Sequence, residues 1–284
     1  LKYGENPQDK ASVSFADGCS QISGKPMSSN NIFDMEAAYN IVNEFNKPAC
    51  AVIKHRNASG AAISEKLISS LKRAYAADSL SAWGGVYGFN RRVDGACAAF
   101  LSKKFVDCIV APDFSRKALE IFSKKKTVLF KAPRRRAVTV LKSSSFGTVI
   151  EKKGAPKFKP FTVTKKKAGK TITADLEFAW KVVKNTTSNA VVIAAGGRTL
   201  AVCGGSQSRV RALEICGTYL KKQKNMVLAT DGFFPFDDSI KLAKKMGIKA
   251  IIQPGGSIRD GEVIKTAAKL GMIMLFTGHR GFRH

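Results

Sequence analysis

Apolar positions in this chain gather into short continuous runs separated by stretches of helical spacing. Residues 49–53, 105–110 and 127–130 have the length and content of buried strands. Between them the spacing predicts a helix over 35–45 and a third helix over 115–122. In a second helix, Leu67, Ile68, Leu71, Ala74 and Tyr75 share one face behind a Ser64 cap. The alternation returns toward the C-terminus, with strands expected at 190–194, 226–230, Ala250–Gln253 and 272–276 and helices at 238–246 and 259–270. Apolar strands alternating with helices imply an α/β fold whose sheet is covered on both faces.

Residues 131–170 interrupt the pattern. Pro133-Arg134-Arg135-Arg136, Lys152-Lys153-Gly154-Ala155-Pro156-Lys157 and Lys165-Lys166-Lys167-Ala168-Gly169-Lys170 form a basic stretch punctuated by proline and glycine, with room for a short strand at 161–163. We expect a first subdomain over 1–130, this connector over 131–170 and a second subdomain over 171–284.

Ligands of such sheets collect beyond the carboxyl ends of strands. Lys54-His55-Arg56-Asn57 follows the strand at 49–53, and Asp231-Gly232-Phe233-Phe234-Pro235-Phe236-Asp237-Asp238 follows that at 226–230. Beyond Phe276 lies Thr277-Gly278-His279-Arg280. The three histidines, His55, His279 and His284, all fall at or past strand ends. A lone histidine is most often a surface or hydrogen-bonded structural residue. Lys54 beside His55 shifts the balance, because an ammonium can stabilise oxyanion charge while the imidazole takes a proton. Phe233, Phe234 and Phe236 admit two readings, a plug between sheet and helix or an apolar slot for a flat heterocycle with Asp238 binding its ring N–H groups. Gly204-Gly205-Ser206-Gln207-Ser208-Arg209 precedes a helix and could hold an anion, but it matches no phosphate or dinucleotide fingerprint. No metal-ligand spacing is present, so no transition metal is expected.

Composition narrows the class. The 284 residues carry 48 Lys+Arg against 21 Asp+Glu, a formal charge of +27, which attracts polyanions such as nucleic acid, phosphorylated metabolites or polyglutamylated cofactors without choosing among them. Six cysteines without a C-x-x-C pair read as free thiols of a reducing compartment. No apolar run reaches the ~18 residues of a membrane span. The chain opens on Leu1 with no signal-peptide pattern, and we expect it to be part of a longer protein.

Several motifs occur in one order from the first residue to the last: Leu1-Lys2-Tyr3-Gly4-Glu5-Asn6-Pro7, Lys54-His55, Asp78-Ser79-Leu80-Ser81-Ala82-Trp83-Gly84-Gly85, Ser188-Asn189-Ala190, Gly205-Ser206-Gln207-Ser208-Arg209, Asp231 to Phe236, and Arg280-Gly281-Phe282-Arg283-His284. Together they resemble the transformylase half of the bifunctional purine-biosynthesis family that joins AICAR transformylase to IMP cyclohydrolase. The resemblance implies two cytidine-deaminase-like αβα subdomains with mixed sheets, a cytoplasmic homodimer with active sites at its interface, and a cyclohydrolase half preceding Leu1. The implied reaction passes a formyl group from 10-formyltetrahydrofolate to the 5-amino group of AICAR.

Carried over residue by residue, the resemblance makes His55 the base, assisted by His284, and Lys54 the oxyanion partner. Asn189 orients the carboxamide. Lys2, Tyr3, Arg209, Arg280 and Phe282 bind AICAR, and Phe233, Phe236 and Asp238 receive the folate. A potassium ion would lie near Thr186, Ser188 and Asp231. The chain departs from the family pattern in having Lys2 for Arg, Gln8 for His, Ala58 for Pro, Gly281 for a larger residue, and a shortened 131–170 segment. An alternative reading is a catalytically impaired relative whose basic surface binds RNA or another polyanion, although no RNA-binding motif is present.

Overall fold

The computed structural model describes residues 1–134, 139–152, 154 and 158–284. Arg135, Arg136, Lys153 and Ala155-Pro156-Lys157 of the basic connector lie outside them.

In chain order the elements are β1 (Ser20–Ser23), α1 (Ser29–Asn43), β2 (Ala49–Lys54), β3 (Asn57–Ile63), α2 (Leu67–Ala77), β4 (Gly85–Phe89), α3 (Gly95–Leu101), β5 (Val106–Ala111), α4 (Arg116–Phe122) and β6 (Val128–Lys131). A hairpin of β7 (Thr139–Ser144) and β8 (Gly147–Lys152) follows, then β9 (Phe161–Thr162) and α5 (Lys170–Val183). The chain continues through β10 (Val191–Ala195), β11 (Arg198–Cys203), α6 (Arg209–Tyr219), β12 (Val227–Thr230), α7 (Asp238–Lys245), β13 (Ala250–Gln253), α8 (Asp260–Lys269) and β14 (Ile273–Phe276).

Twelve strands form one mixed sheet in the order β1-β6-β5-β4-β2-β3-β11-β10-β12-β13-β14-β9. The order reads the same from both ends. Helix α1, the β2–β3 hairpin, α2, then β4-α3-β5-α4-β6 are repeated by α5, β10–β11, α6, then β12-α7-β13-α8-β14. In each half the hairpin is antiparallel, the last three strands are parallel, and a short antiparallel strand, β1 or β9, closes the edge.

The halves join between β3 and β11, which run antiparallel with Arg198 opposite Ala62. Thr199, fully buried, supplements this short ladder: its hydroxyl accepts the Ala61 N–H at 2.9 Å and donates to the Ala61 carbonyl at 3.3 Å. Helices α1 and α5 cover the same face, and one apolar core runs beneath both, with Phe45 stacked on Phe178 at 5.2 Å. On the opposite face α2–α4 and α6–α8 seal a separate core for each half. The repeat is therefore a rotation about an axis normal to the sheet, which reverses strand direction between the halves.

Local chemistry fixes the helix starts. Helix α1 begins six residues before the predicted start because Ser28 and Asn31 make a reciprocal capping box. Ser115, Asp94 and Ser208 cap α4, α3 and α6. Ser64 caps nothing. Helix α2 starts later, behind Lys66, and the Ser64 N–H is spent on the Pro48 carbonyl.

Candidate functional site

The β2–β3 hairpin turns through Lys54-His55-Arg56-Asn57, with Lys54 opposite Asn57. Both central residues have positive φ, 50° at His55 and 64° at Arg56. A type I′ turn needs this, and glycine or asparagine ordinarily supplies it. For a residue with a Cβ, that region costs about 1–2 kcal/mol. Neighbours hold the turn in place. Asp34 Oδ1 on α1 accepts the Arg56 N–H at 2.6 Å, and the Arg56 guanidinium lies 4.9 Å over Phe33. Asn57 Nδ2 donates to the His55 carbonyl at 3.3 Å, and its Oδ1 accepts the Thr187 N–H at 2.9 Å.

This turn borders a cavity of about 250 Å³ whose lining includes Lys2, Tyr3, Lys25, Asp34, Lys54, His55, Gly84 and Asp107. The N-terminal arm reaches it because Lys2 N–H bonds the Met27 carbonyl at 2.6 Å and Tyr3 accepts from Ser29 N–H at 3.2 Å. Lys54 Nζ donates to the Trp83 carbonyl at 2.8 Å. Asp107 is held by Lys25 and by Asn31 Nδ2 at 2.6 Å. Burial opposes the Lys25 charge, yet the hydrogen bond and charge of Asp107 lift its pKa above the usual lysine value. Burial raises the Asp34 carboxyl, and the Arg56 N–H and the charges of His55 and Arg56 offset part of that rise. Three ammonium groups facing two carboxylates leave the cavity cationic, suited to an anionic ligand.

Lys54 and His55 do end a strand, but β2 runs against β4. Their cavity therefore opens at the amino ends of β4 and β5, not at carboxyl ends as the general rule for parallel sheets led us to expect. Because the second half is reversed, this is the sheet edge where β12, β13 and β14 end.

A second cavity, of about 310 Å³, lies at those carboxyl ends, lined by Asn189, Gln207, Ser208, Arg209, Phe236 and Asp238 among others. Asn189 pairs with Ser206 through its backbone and through Nδ2, which donates to the Ser206 carbonyl at 3.0 Å. Arg209 pairs with fully buried Asp231 at 3.2 Å. Asp231 also accepts Ser188 Oγ at 2.5 Å and the Ala190 N–H at 3.1 Å. Thr186 is buried, its hydroxyl donating to Val182 at 3.0 Å. Asp238 is exposed at the start of α7.

The three phenylalanines differ in exposure. Phe234 is a core plug, fully buried, its N–H on Gln253 Oε1 at 3.0 Å. Phe236 is half exposed, 4.8 Å from the Arg259 guanidinium, and Phe233 lies 5.6 Å from that of Arg280.

The C-terminal tail lies against Asp231 and Ser188. Gly281 N–H donates to the Asp231 carbonyl at 2.9 Å, and Arg283 exchanges two bonds with Ser188. Phe282 lies 5.4 Å from both Arg209 and Arg280, and His284 is exposed beside it. Burial depresses the Arg283 pKa, with Glu36 raising it and Arg56 lowering it, so the tail lies within electrostatic reach of the His55 turn. His279 packs edge-on against Trp180 at 5.7 Å, the ordinary structural use of a histidine.

Within one chain, then, Lys2, Tyr3, Lys54 and His55 share the first cavity. Asn189, Arg209, Phe236 and Asp238 share the second, with Phe233, Arg280, Phe282 and His284 grouped around the tail. Sequence reasoning missed Lys25, Asn31, Asp34 and Asp107. Asp107 carried a readable signal, a carboxylate inside an apolar strand. Asp34 carried none, since an acid near the start of a helix is ordinarily solvated. Among the described residues no group of three or more His, Cys, Asp or Glu is placed to hold a metal ion, and no helix is long and apolar enough to cross a membrane.

The family model for the AICARFT/IMPCHase bienzyme matches residues 1–219. The bifunctional purine biosynthesis protein PurH of Desulfitobacterium hafniense is 42% identical over 300 residues, covering 100% of this chain and 58% of that protein. PurH of Caldicellulosiruptor bescii is 40% identical over 303 residues, covering 100% of this chain and 59% of its own. PurH of Prochlorococcus marinus is 40% identical over 317 residues, covering 100% and 60%. The chain thus spans less than two thirds of these relatives, and the aligned stretches exceed its 284 residues. A family model matching most of the chain, and relatives aligned along all of it, agree with the ordered motifs around both cavities: the chain belongs to the AICARFT/IMPCHase bienzyme family.

Proposed function

We propose that this chain transfers a formyl group from 10-formyltetrahydrofolate to the 5-amino group of AICAR, giving the formylated ribotide and tetrahydrofolate. The observation that carries the reading is the first cavity, where an imidazole on a strained turn sits beside an ammonium and a cationic wall. His55 removes the amine proton as nitrogen attacks the formyl carbon, and the Lys54 ammonium balances the oxyanion. The C–N bond to N10 of the folate then breaks, and that nitrogen takes a proton. His284, on the C-terminal tail, would relay protons to and from His55. Lys2, Tyr3, Arg209, Arg280 and Phe282 would bind the ribotide, Asn189 would turn its carboxamide, and Phe233, Phe236 and Asp238 would receive the folate. Mixing the two substrates with purified protein should release tetrahydrofolate, and a His55→Ala variant with undiminished turnover would remove the base.

The same reading takes each sheet half as a cytidine-deaminase-like subdomain, divided at the 131–170 connector, and the working form as a homodimer. Its support is that His55 and Asn189 line different cavities of one chain, so that the first cavity of one copy could face the second of another. Mixing His55→Ala with Asn189→Ala protein tests this: recovered turnover in the mixture requires sites shared between copies.

A potassium ion near Thr186, Ser188 and Asp231 has suitable hydroxyl and carboxylate oxygens, with Arg209 already on one carboxylate oxygen. The ion would neutralise charge around Asp231, and replacing potassium by tetramethylammonium should then loosen the tail. Free thiols at all six cysteines fit a cytoplasmic location.

A further inference from the structure

We propose that Asp34 is a positioning residue for His55, its carboxylate clamping the strained turn that presents the imidazole; this rests on reading His55 as the base. The internal repeat carries the inference. Asp34 is the sixth residue of α1, and Asp175 is the sixth residue of α5. Asp175 reaches the matching turn of the second half, where Oδ1 accepts the Gly197 N–H at 2.7 Å and Oδ2 the Gly196 N–H at 2.8 Å. Those turn residues also have positive φ, 60° and 70°, but both are glycine and bear no strain. The same carboxylate from the same helix position therefore holds the same turn twice.

The two turns differ in what they carry. In the second half the two central residues of the turn are glycines and present no side chain. In the first, His55 and Arg56 occupy conformations that residues with a Cβ leave when released. Asp34 accepts a single bond, from the Arg56 N–H to Oδ1 at 2.6 Å, placed at the residue with the larger φ of the pair. Without it the turn can relax and carry the imidazole away from the cavity it borders. Asp34 acts on the reaction through the turn, without taking part in the proton transfer.

The test compares wild type with Asp34→Ala, Asp34→Asn, Asp34→Ala/Arg56→Gly and His55→Ala. Misplacing a catalytic group by about 1 Å can cost ~100-fold, so Asp34→Ala should lower kcat by at least about tenfold, with KM for both substrates within about twofold. Asp34→Asn keeps an oxygen able to accept the Arg56 N–H and should stay within about threefold of wild type. Glycine at position 56 removes part of the strain, so the double variant should recover part of the lost kcat. Unchanged kcat in Asp34→Ala, a raised KM, or Asp34→Asn as impaired as the alanine variant overturns the proposal.

Hydrogen exchange at the Arg56 amide reads the clamp without turnover. It should be slow in wild type and Asp34→Asn and fast in Asp34→Ala. If Asp34→Ala does not fold, slow exchange in the other two proteins supports the clamp and fast exchange in wild type overturns it. A wild-type protein with a protected Arg56 amide but no formyl transfer would sink the functional reading instead, and with it the positioning role.

Discussion

Asn57 accepts the backbone N–H of Thr187 at 2.9 Å, across 130 residues of sequence. This bond ties the turn carrying His55 to the loop carrying Asn189, so the two halves meet at the site through a side chain as well as through the short β3–β11 ladder. Asn57→Ala leaves the partly buried Thr187 N–H without its partner and also removes the bond to the His55 carbonyl. The expected cost is about 1–2 kcal/mol, or a few degrees in Tm for a chain of this size. Thermal unfolding that is indistinguishable from wild type would show that the bond holds nothing together.

Arg209, which lines the second cavity, forms a buried ion pair with Asp231 behind it, with side chains 15% and 0% exposed. Arg209→Ala would leave the carboxylate facing Ser188 Oγ and the Ala190 N–H without a counter-charge. Breaking such a pair costs about 3–5 kcal/mol. Adding Asp231→Asn to Arg209→Ala should recover part of that loss, and urea unfolding of the four proteins measures the coupling. Additive effects of the two substitutions would mean that the pair is not coupled.

Much of the sheet was legible because its strands are buried on both faces and read as continuous apolar runs. β2, β5, β6, β10, β12, β13 and β14 were found this way; β1, β3, β4, β7, β8 and β11 were not. Asn57-Ala58-Ser59-Gly60 is polar and small, since Gly60 must let α2 approach: a Cβ there would fall 2.1 Å from the Ala74 carbonyl. Gly85-Val86-Tyr87-Gly88 is likewise thinned by glycine where α1 packs. The start of α1 was hidden because the Ser28–Asn31 box lies in a polar stretch with no apolar period. At the candidate site, Lys54 and His55 stood out in the sequence by residue type, whereas Asp34 depended on a turn bond between positions 22 residues apart. No local pattern encodes that bond.

Gly88 sets the distance between α1 and β4. A Cβ at this position would lie 2.7 Å from the Ala38 Cβ and 2.9 Å from its carbonyl carbon, so Gly88→Ala must push the helix outward. Overpacking of this kind costs about 1–3 kcal/mol. Because α1 also carries Asp34, kcat should fall along with Tm. Gly261 offers the contrast: nothing lies within 4 Å of its added Cβ, and Gly261→Ala on α8 should be neutral or stabilising, by up to about 1 kcal/mol. Calorimetry on both variants checks the pair, and a Gly88→Ala protein with unchanged Tm and kcat would mean that the helix seat is not tight.

The pH dependence of stability separates the charge of Asp34 from its hydrogen bond. Burial raises this carboxyl above its ordinary value of 3.8, outweighing the Arg56 N–H and the positive charges of His55 and Arg56. The folded state thus binds the proton more tightly than the unfolded chain. Between 3.8 and the raised folded value, stability therefore falls as pH rises, and above that window the penalty is constant. Asp34→Asn keeps an oxygen for the Arg56 N–H and removes the buried charge. At pH 7 it should be at least as stable as wild type. Its advantage should shrink as pH falls through the window and vanish below it, since both side chains are then neutral. Urea unfolding of the two proteins at several pH values between about 3 and 7 measures this difference, and the other carboxylates cancel in the comparison. An asparagine variant less stable than wild type at pH 7, with a deficit that closes on acidification, would show that the turn needs the charge and not only the oxygen.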